Sequence, residues 1–192
     1  MSRIPGSINV VLVATLLVAT FLTAYTAGSL ADDLQGYKPV YSLGSGNEDW
    51  WIKYPDQSPN ASTQVNHLPW VIDDLKRKPV IIFVHTSDCK ACKVQKRDLD
   101  KILNIYGNDV TYYDIVADVY DKTISDVLKS YYPNGGVPTV PTTIVLTLAR
   151  GSDGKVAVAW HSMIDAMGED VVASYVKDAV YYYRQNSADW NK

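Results

Sequence analysis

Apolar positions along this chain follow two rhythms. Val80-Ile81-Ile82-Phe83-Val84 and the seven residues from Thr142 to Leu148 (TTIVLTL) are continuous apolar and β-branched runs, the mark of strands covered on both faces. Val110 to Val116 predicts a further strand, and Gly151-Ser152-Asp153-Gly154 turns TTIVLTL back into Lys155–Trp160 as a hairpin partner. Elsewhere the apolar residues recur at three- and four-residue steps. Leu68, Trp70, Val71, Ile72 and Leu75 form one stripe, which Pro79 stops. Cys92, Leu99, Ile102, Leu103 and Tyr106 form a second, ending near Gly107-Asn108. Asp121 to Tyr132 predicts a third helix, and Val172, Tyr175, Val176, Ala179 and Tyr183 a last one over Glu169–Gln185. Aromatic Asp49–Tyr54 reads as a short edge strand. The order β-α-β-α-β-α-β-β-α implies an α/β fold, a central mixed sheet flanked by helices, with VIIFV and TTIVLTL as inner neighbours.

Residues 1–31 stand apart from that pattern. Ile8 to Ala27 carries no charge, Arg3 precedes it, and Ser29-Leu30-Ala31 with Asp32-Asp33 follows. This predicts an N-terminal transmembrane or signal helix: a membrane anchor through residues 8–27, or a cleaved secretory signal. Either reading puts the rest of the chain outside the cytoplasm, in the cell envelope or secreted, and Arg3 fits an N-in orientation. Residues 32–48, polar and Gly-rich, suit a linker, leaving 49–192 as the globular domain. Asn60-Ala61-Ser62 is a glycosylation sequon.

Composition is that of an ordinary globular protein, 47% hydrophobic and 20% charged. A net charge of -3, with Lys and Arg scattered, gives no sign of a nucleic-acid partner. Fourteen tyrosines against two phenylalanines predict many hydroxyls at the core's edge, where they find partners.

The candidate chemistry lies at Cys89-Lys90-Ala91-Cys92, which opens a helix directly after a buried strand. A thiol there meets unpaired backbone N–H groups and the positive end of the helix dipole. Both favour the thiolate, the form that attacks a disulfide. Lys90 and Lys93 add positive charge and Asp88 opposes it, so these three are the expected modulating residues. Cys92, one turn deeper, is expected to be the less exposed thiol. A bare CxxC also fits half a zinc site, with His85 or His161 as further ligands; the strand–CxxC–helix setting favours redox chemistry, with no metal or other cofactor. A second element is Val140-Pro141 at the head of TTIVLTL. A cis bond there would aim the Val140 backbone at the CxxC loop, where it could pair with an extended substrate segment.

KPVIIFVHTSDCKACK and VPTVPTTIVLTLARGSDGK resemble the thioredoxin superfamily, over a stretch from about Trp50 to Tyr183. The first looks like its central strand and active-site helix, the second like its cis-proline strand and hairpin. The resemblance implies a thioredoxin-like fold and thiol–disulfide exchange with protein thiols or disulfides. It also implies a catalytic set of Cys89 (nucleophile), Cys92 (resolving) and Pro141 (cis-proline), beside Val140. The chain departs from the family at Asp88, where classical thioredoxins carry Trp, and at Phe83, where many members keep a buried carboxylate. A Lys-Ala dipeptide separates the cysteines. A static Cys89–Cys92 disulfide on an interaction module, or metal delivery, are the alternative readings.

Overall fold

The structure, a computed structural model, describes residues 34–44 and 49–190; the anchor or signal expected over 1–31 lies outside them. Among the described residues no helix is long and apolar enough to cross a membrane.

Six strands form one mixed sheet: β1 (Leu43–Gly44), β2 (Trp50–Trp51), β3 (Val80–His85), β4 (Thr111–Val116), β5 (Thr142–Arg150) and β6 (Val156–Ile164). Their spatial order is β1-β2-β6-β5-β3-β4. The two continuous apolar runs are neighbours as expected: β3 lies antiparallel to β5, with Val84 opposite Thr142 and Phe83 opposite Thr143. On its other side β3 pairs with β4 in parallel, Phe83 opposite Asp114. The hairpin partner β6 extends to Ile164, four residues beyond the expected Trp160. Of Asp49–Tyr54, Trp50 and Trp51 alone form the strand β2, with Trp51 opposite Trp160.

Four helices cover the sheet: α1 (Pro69–Leu75), α2 (Lys90–Tyr106), α3 (Lys122–Tyr131) and α4 (Glu169–Asn186). Strand alternation sorts the side chains. Val80, Ile82, Val84, Ile144, Leu146 and Trp160 pack with Val71 and Leu75 of α1 and Ile124, Val127 and Tyr131 of α3. The opposite face carries Phe83, Thr143 and Thr147, and the Thr147 hydroxyl donates to the Ala179 carbonyl of α4 at 2.6 Å. Helix α2 packs beside α4.

Residues 37–44, read in the sequence as part of a linker, are tied to α4. Buried Asp178 accepts the Tyr37 hydroxyl at 2.6 Å and the N–H groups of Val40 and Tyr41 at 3.0 and 2.9 Å. Tyr182 donates to the Tyr41 carbonyl at 3.1 Å, and the Tyr41 ring stacks on Tyr175 at 3.8 Å. Glycines and polar residues suggest a free chain in isolation; a buried carboxylate supplying three acceptor positions overrides that local preference.

Candidate functional site: the Cys89–Cys92 pair at the head of a helix

β3 ends at His85, and Thr86–Asp88 turn the chain into α2. Cys89 is the N-cap: its backbone is extended (φ -73°, ψ 114°), and the Cys92 N–H donates to its Sγ at 3.0 Å. The sulfur therefore occupies the place that a Ser or Asp oxygen takes at other helix starts, on one of the first-turn N–H groups that have no partner within the helix. The two cysteines form a disulfide with Cα atoms 5.2 Å apart. Their environments differ. Cys92 is buried at 1% exposure, whereas Cys89 is partly exposed.

Strand β5 delivers the second element. The Val140–Pro141 bond is cis, Pro141 is buried, and the Val140 carbonyl oxygen stands 3.8 Å from Cys89 Sγ. Pairing of Val84 with Thr142 aligns the two motif-bearing loops at one end of the sheet. Asp88, Lys90 and Lys93 are exposed around the pair, and the Lys93 N–H donates to the Cys89 carbonyl at 3.2 Å, closing the first helical turn.

Three features of the surroundings escaped sequence reasoning. Asp118, just past β4, accepts both the N–H of Ser87 (2.8 Å) and its hydroxyl. Those two bonds hold the Asp118 carboxyl below the usual carboxylate range. His85 stacks on Phe83 with ring centroids 4.8 Å apart, and its Nε2 bonds to Asp114, which also pairs with Lys96 at 2.7 Å. Partial burial pushes the Asp114 carboxyl up, but the Lys96 and His85 bonds outweigh it and leave it low. Finally, the buried Gln95, three residues after Cys92, accepts the Met167 N–H at 2.7 Å, while its Nε2 has no partner among the described residues. Asp114 and Asp118 stand four apart on VTYYDIVAD, the one signal available in the sequence, but nothing there shows which loop they meet.

The histidines weighed as metal ligands are engaged elsewhere. His161 stacks on Tyr175 at 3.9 Å and bonds the Asp49 carbonyl at 3.1 Å, and burial pushes its pKa down to about 4. His85 is held by Asp114. Among the described residues no group of three or more His, Cys, Asp or Glu is placed to hold a metal ion.

No family model matches the chain, and no curated protein matches it. Solved structures do. Thioredoxin-2 of the malaria parasite, a component of its protein secretion machinery, is 14% identical and aligns over 53% of this chain and 82% of its own, with a TM-score of 0.39. Mitochondrial thioredoxin 3 of Saccharomyces cerevisiae, in its oxidised form, is 22% identical over 54% and 82%, TM-score 0.37. Chloroplastic thioredoxin z is 13% identical over 57% and 86%, TM-score 0.40. The fold is thioredoxin-like. The chain's own features carry this architecture: β3 leads into the CxxC helix and lies antiparallel to a cis-proline strand that continues through a hairpin into the last helix. The set read from the sequence, Cys89, Cys92, Val140 and Pro141, lies together in space.

Proposed function

We propose that the chain is an extracytoplasmic thiol–disulfide oxidoreductase acting on protein substrates. The observation that carries this reading is the unequal placement of two bonded cysteines: Cys89 partly exposed at a helix N-terminus, Cys92 buried one turn in. In the reduced protein, Cys89 thiolate attacks one sulfur of a substrate disulfide. A Cys89–substrate bond forms and the other substrate sulfur leaves as thiolate. Cys92 thiolate then attacks Cys89 Sγ, re-forming the bond seen here and releasing the second substrate thiolate. Two electrons pass from the protein dithiol to the substrate, and the same steps in reverse oxidise a substrate dithiol. The Cys92 N–H and the helix dipole stabilise the Cys89 thiolate at both ends of the sequence. Exposed Lys90 and Lys93 favour that anion and Asp88 disfavours it. The uncharged run 8–27, between Arg3 and Asp32-Asp33, supports a single-pass anchor with the domain outside the cytoplasm.

Trapping tests the exchange. Cys92→Ser removes the release step and is expected to accumulate mixed disulfides through Cys89 on non-reducing gels; Cys89→Ser is expected to trap few or none. Capture by neither variant favours a static disulfide on an interaction module, the reading that Phe83 and Asp88 otherwise support.

A further inference from the structure

A cleft opens between the Ser58–Asn60 turn and the loop that leads into Val140. Tyr54, Tyr120 and Tyr132 line it with Pro59, Pro138 and Leu128, enclosing about 280 Å³. Lys129 is the one charged side chain among the lining residues. Two glycines shape the wall. Gly135 and Gly136 take positive φ (63° and 77°), and a Cβ on Gly135 would come within 2.9 Å of the Pro59 ring, so the loop seats directly on the turn. The Tyr54 hydroxyl is already spent on the carbonyls of Lys129 and Ser130, at 3.1 and 3.2 Å.

Both walls connect to the cysteine site through a few residues of chain. Pro138 is two residues from Val140, whose carbonyl stands 3.8 Å from Cys89 Sγ. Tyr120 is two residues past Asp118, which holds Ser87, itself two residues before Cys89. An extended chain advances about 3.3 Å per residue, so the cleft lies within a few residues' reach of a sulfur bonded to Cys89. The same two loops carry exposed apolar side chains: Val137 at 88%, Val119 at 79% and Tyr120 at 60% exposure. A volume of this size, at the low end of the roughly 300–1,000 Å³ usual for small-molecule pockets, has room for one large side chain.

We infer that this cleft is a specificity subsite taking an aromatic side chain of a polypeptide substrate, a few residues from the cysteine that exchanges with Cys89. The inference rests on the exchange reading above. Three tyrosine rings and two prolines offer flat apolar faces, against which a Phe or Tyr ring gains offset or edge contacts that an aliphatic chain does not. A small side chain gains little there, and an acidic one meets only the ammonium of Lys129, which is exposed and screened by solvent.

Single-cysteine peptides test it against the oxidised full-length chain. Each peptide carries Phe, Ala or Asp at one position two to five residues from its cysteine, on either side, and the rate of mixed-disulfide formation is read by mass. 2-Mercaptoethanol, which lacks any side chain for the cleft, measures the intrinsic reactivity of the Cys89–Cys92 bond. One placement of Phe is expected to react about tenfold or more faster than Ala, with Asp no better than Ala. In Tyr120→Ala and Tyr132→Ala the Phe-to-Ala ratio is expected to fall to within about twofold of unity. Equal rates for Phe and Ala peptides at every placement in the wild type, with exchange proceeding, overturn the subsite and leave the exchange reading intact. No reaction with either peptides or 2-mercaptoethanol overturns both.

Discussion

The carboxylate of Asp118 takes both polar groups of Ser87, the main-chain N–H at 2.8 Å and the hydroxyl, and so fixes the turn that presents Cys89. The pair spans two loops, one after β3 and one after β4. Asp118→Ala leaves the turn without that brace. Both residues are exposed, so global stability in urea unfolding is expected to change little. The exchange rate with a small disulfide is expected to drop several-fold, because the Cys89 sulfur loses its fixed position. The depressed Asp118 carboxyl sets the pH dependence. Its contribution is present above the ordinary carboxylate pKa, about 3.9, and is lost as pH falls through the lower folded value. A wild-type rate in Asp118→Ala would show that the turn is held by other contacts.

Asp178 makes the second prediction. Burial pushes its carboxyl above the ordinary range, and the bonds from Tyr37, Tyr41 and Val40 oppose that rise without cancelling it. Between the ordinary and the raised value the folded state binds the extra proton, so stability is expected to fall as pH rises through that window. Asp178→Asn is expected to flatten this slope. Asp178→Ala leaves one hydroxyl and two N–H groups without their acceptor, and is expected to cost about 1–3 kcal/mol. Limited proteolysis is then expected to cut within residues 37–44, which the wild type protects.

Much of the sheet and the cysteine site was legible because both rest on local signals. Continuous apolar runs mark β3 and β5, and the cysteines sit where a capping residue is needed before a periodic stripe. Cys89, Cys92 and the cis Val140–Pro141 bond stand where those signals put them. Partnerships across loops were not legible. Asp178 falls between Val176 and Ala179 of an apolar stripe, which flags a buried acid, but nothing in the sequence says that Tyr37 and the backbone of Val40 and Tyr41 meet it. Ser87 and Asp118 are 31 positions apart and carry no mutual signature. Phe83 was legible as part of the buried β3 run and as a departure from the family's carboxylate; its stacking on His85 was not.

Alkylation of the reduced protein checks the thiol asymmetry independently of any substrate. With Cys92 buried and Cys89 accepting the Cys92 N–H, iodoacetamide is expected to label Cys89 first. Labelling of Cys89 is also expected to persist at pH values where a free cysteine is protonated and slow, since the N–H and the helix dipole hold the anion. Peptide mapping after partial labelling gives the order directly. Faster labelling at Cys92 would contradict the assignment of nucleophile and resolving thiol.

Phe83→Asp tests how the chain does without a buried carboxylate on β3, six positions before Cys89. Phe83 is fully buried, stacks on His85 and lies between Thr143 and Asp114 in the sheet register. Removing the ring sacrifices apolar burial and leaves a void, a loss of about 3–5 kcal/mol for a truncated buried Phe. The new carboxyl is itself buried beside the Asp114 carboxylate, so its pKa is pushed up by desolvation and by the like charge. Thr143 Oγ1, which has no partner among the described residues, can donate to it and offset part of the cost. With the folded value above the unfolded one, the variant binds the extra proton in its folded state, and its stability is expected to fall as pH rises through that window. The rate of mixed-disulfide release by Cys92 is expected to acquire a titration over the same range, a feature that wild type, with Phe83, lacks. Urea unfolding and single-turnover release, each at several pH values, read the two effects separately. A variant as stable as wild type and flat in pH would mean that the ring contributes little and that the new carboxyl reaches solvent.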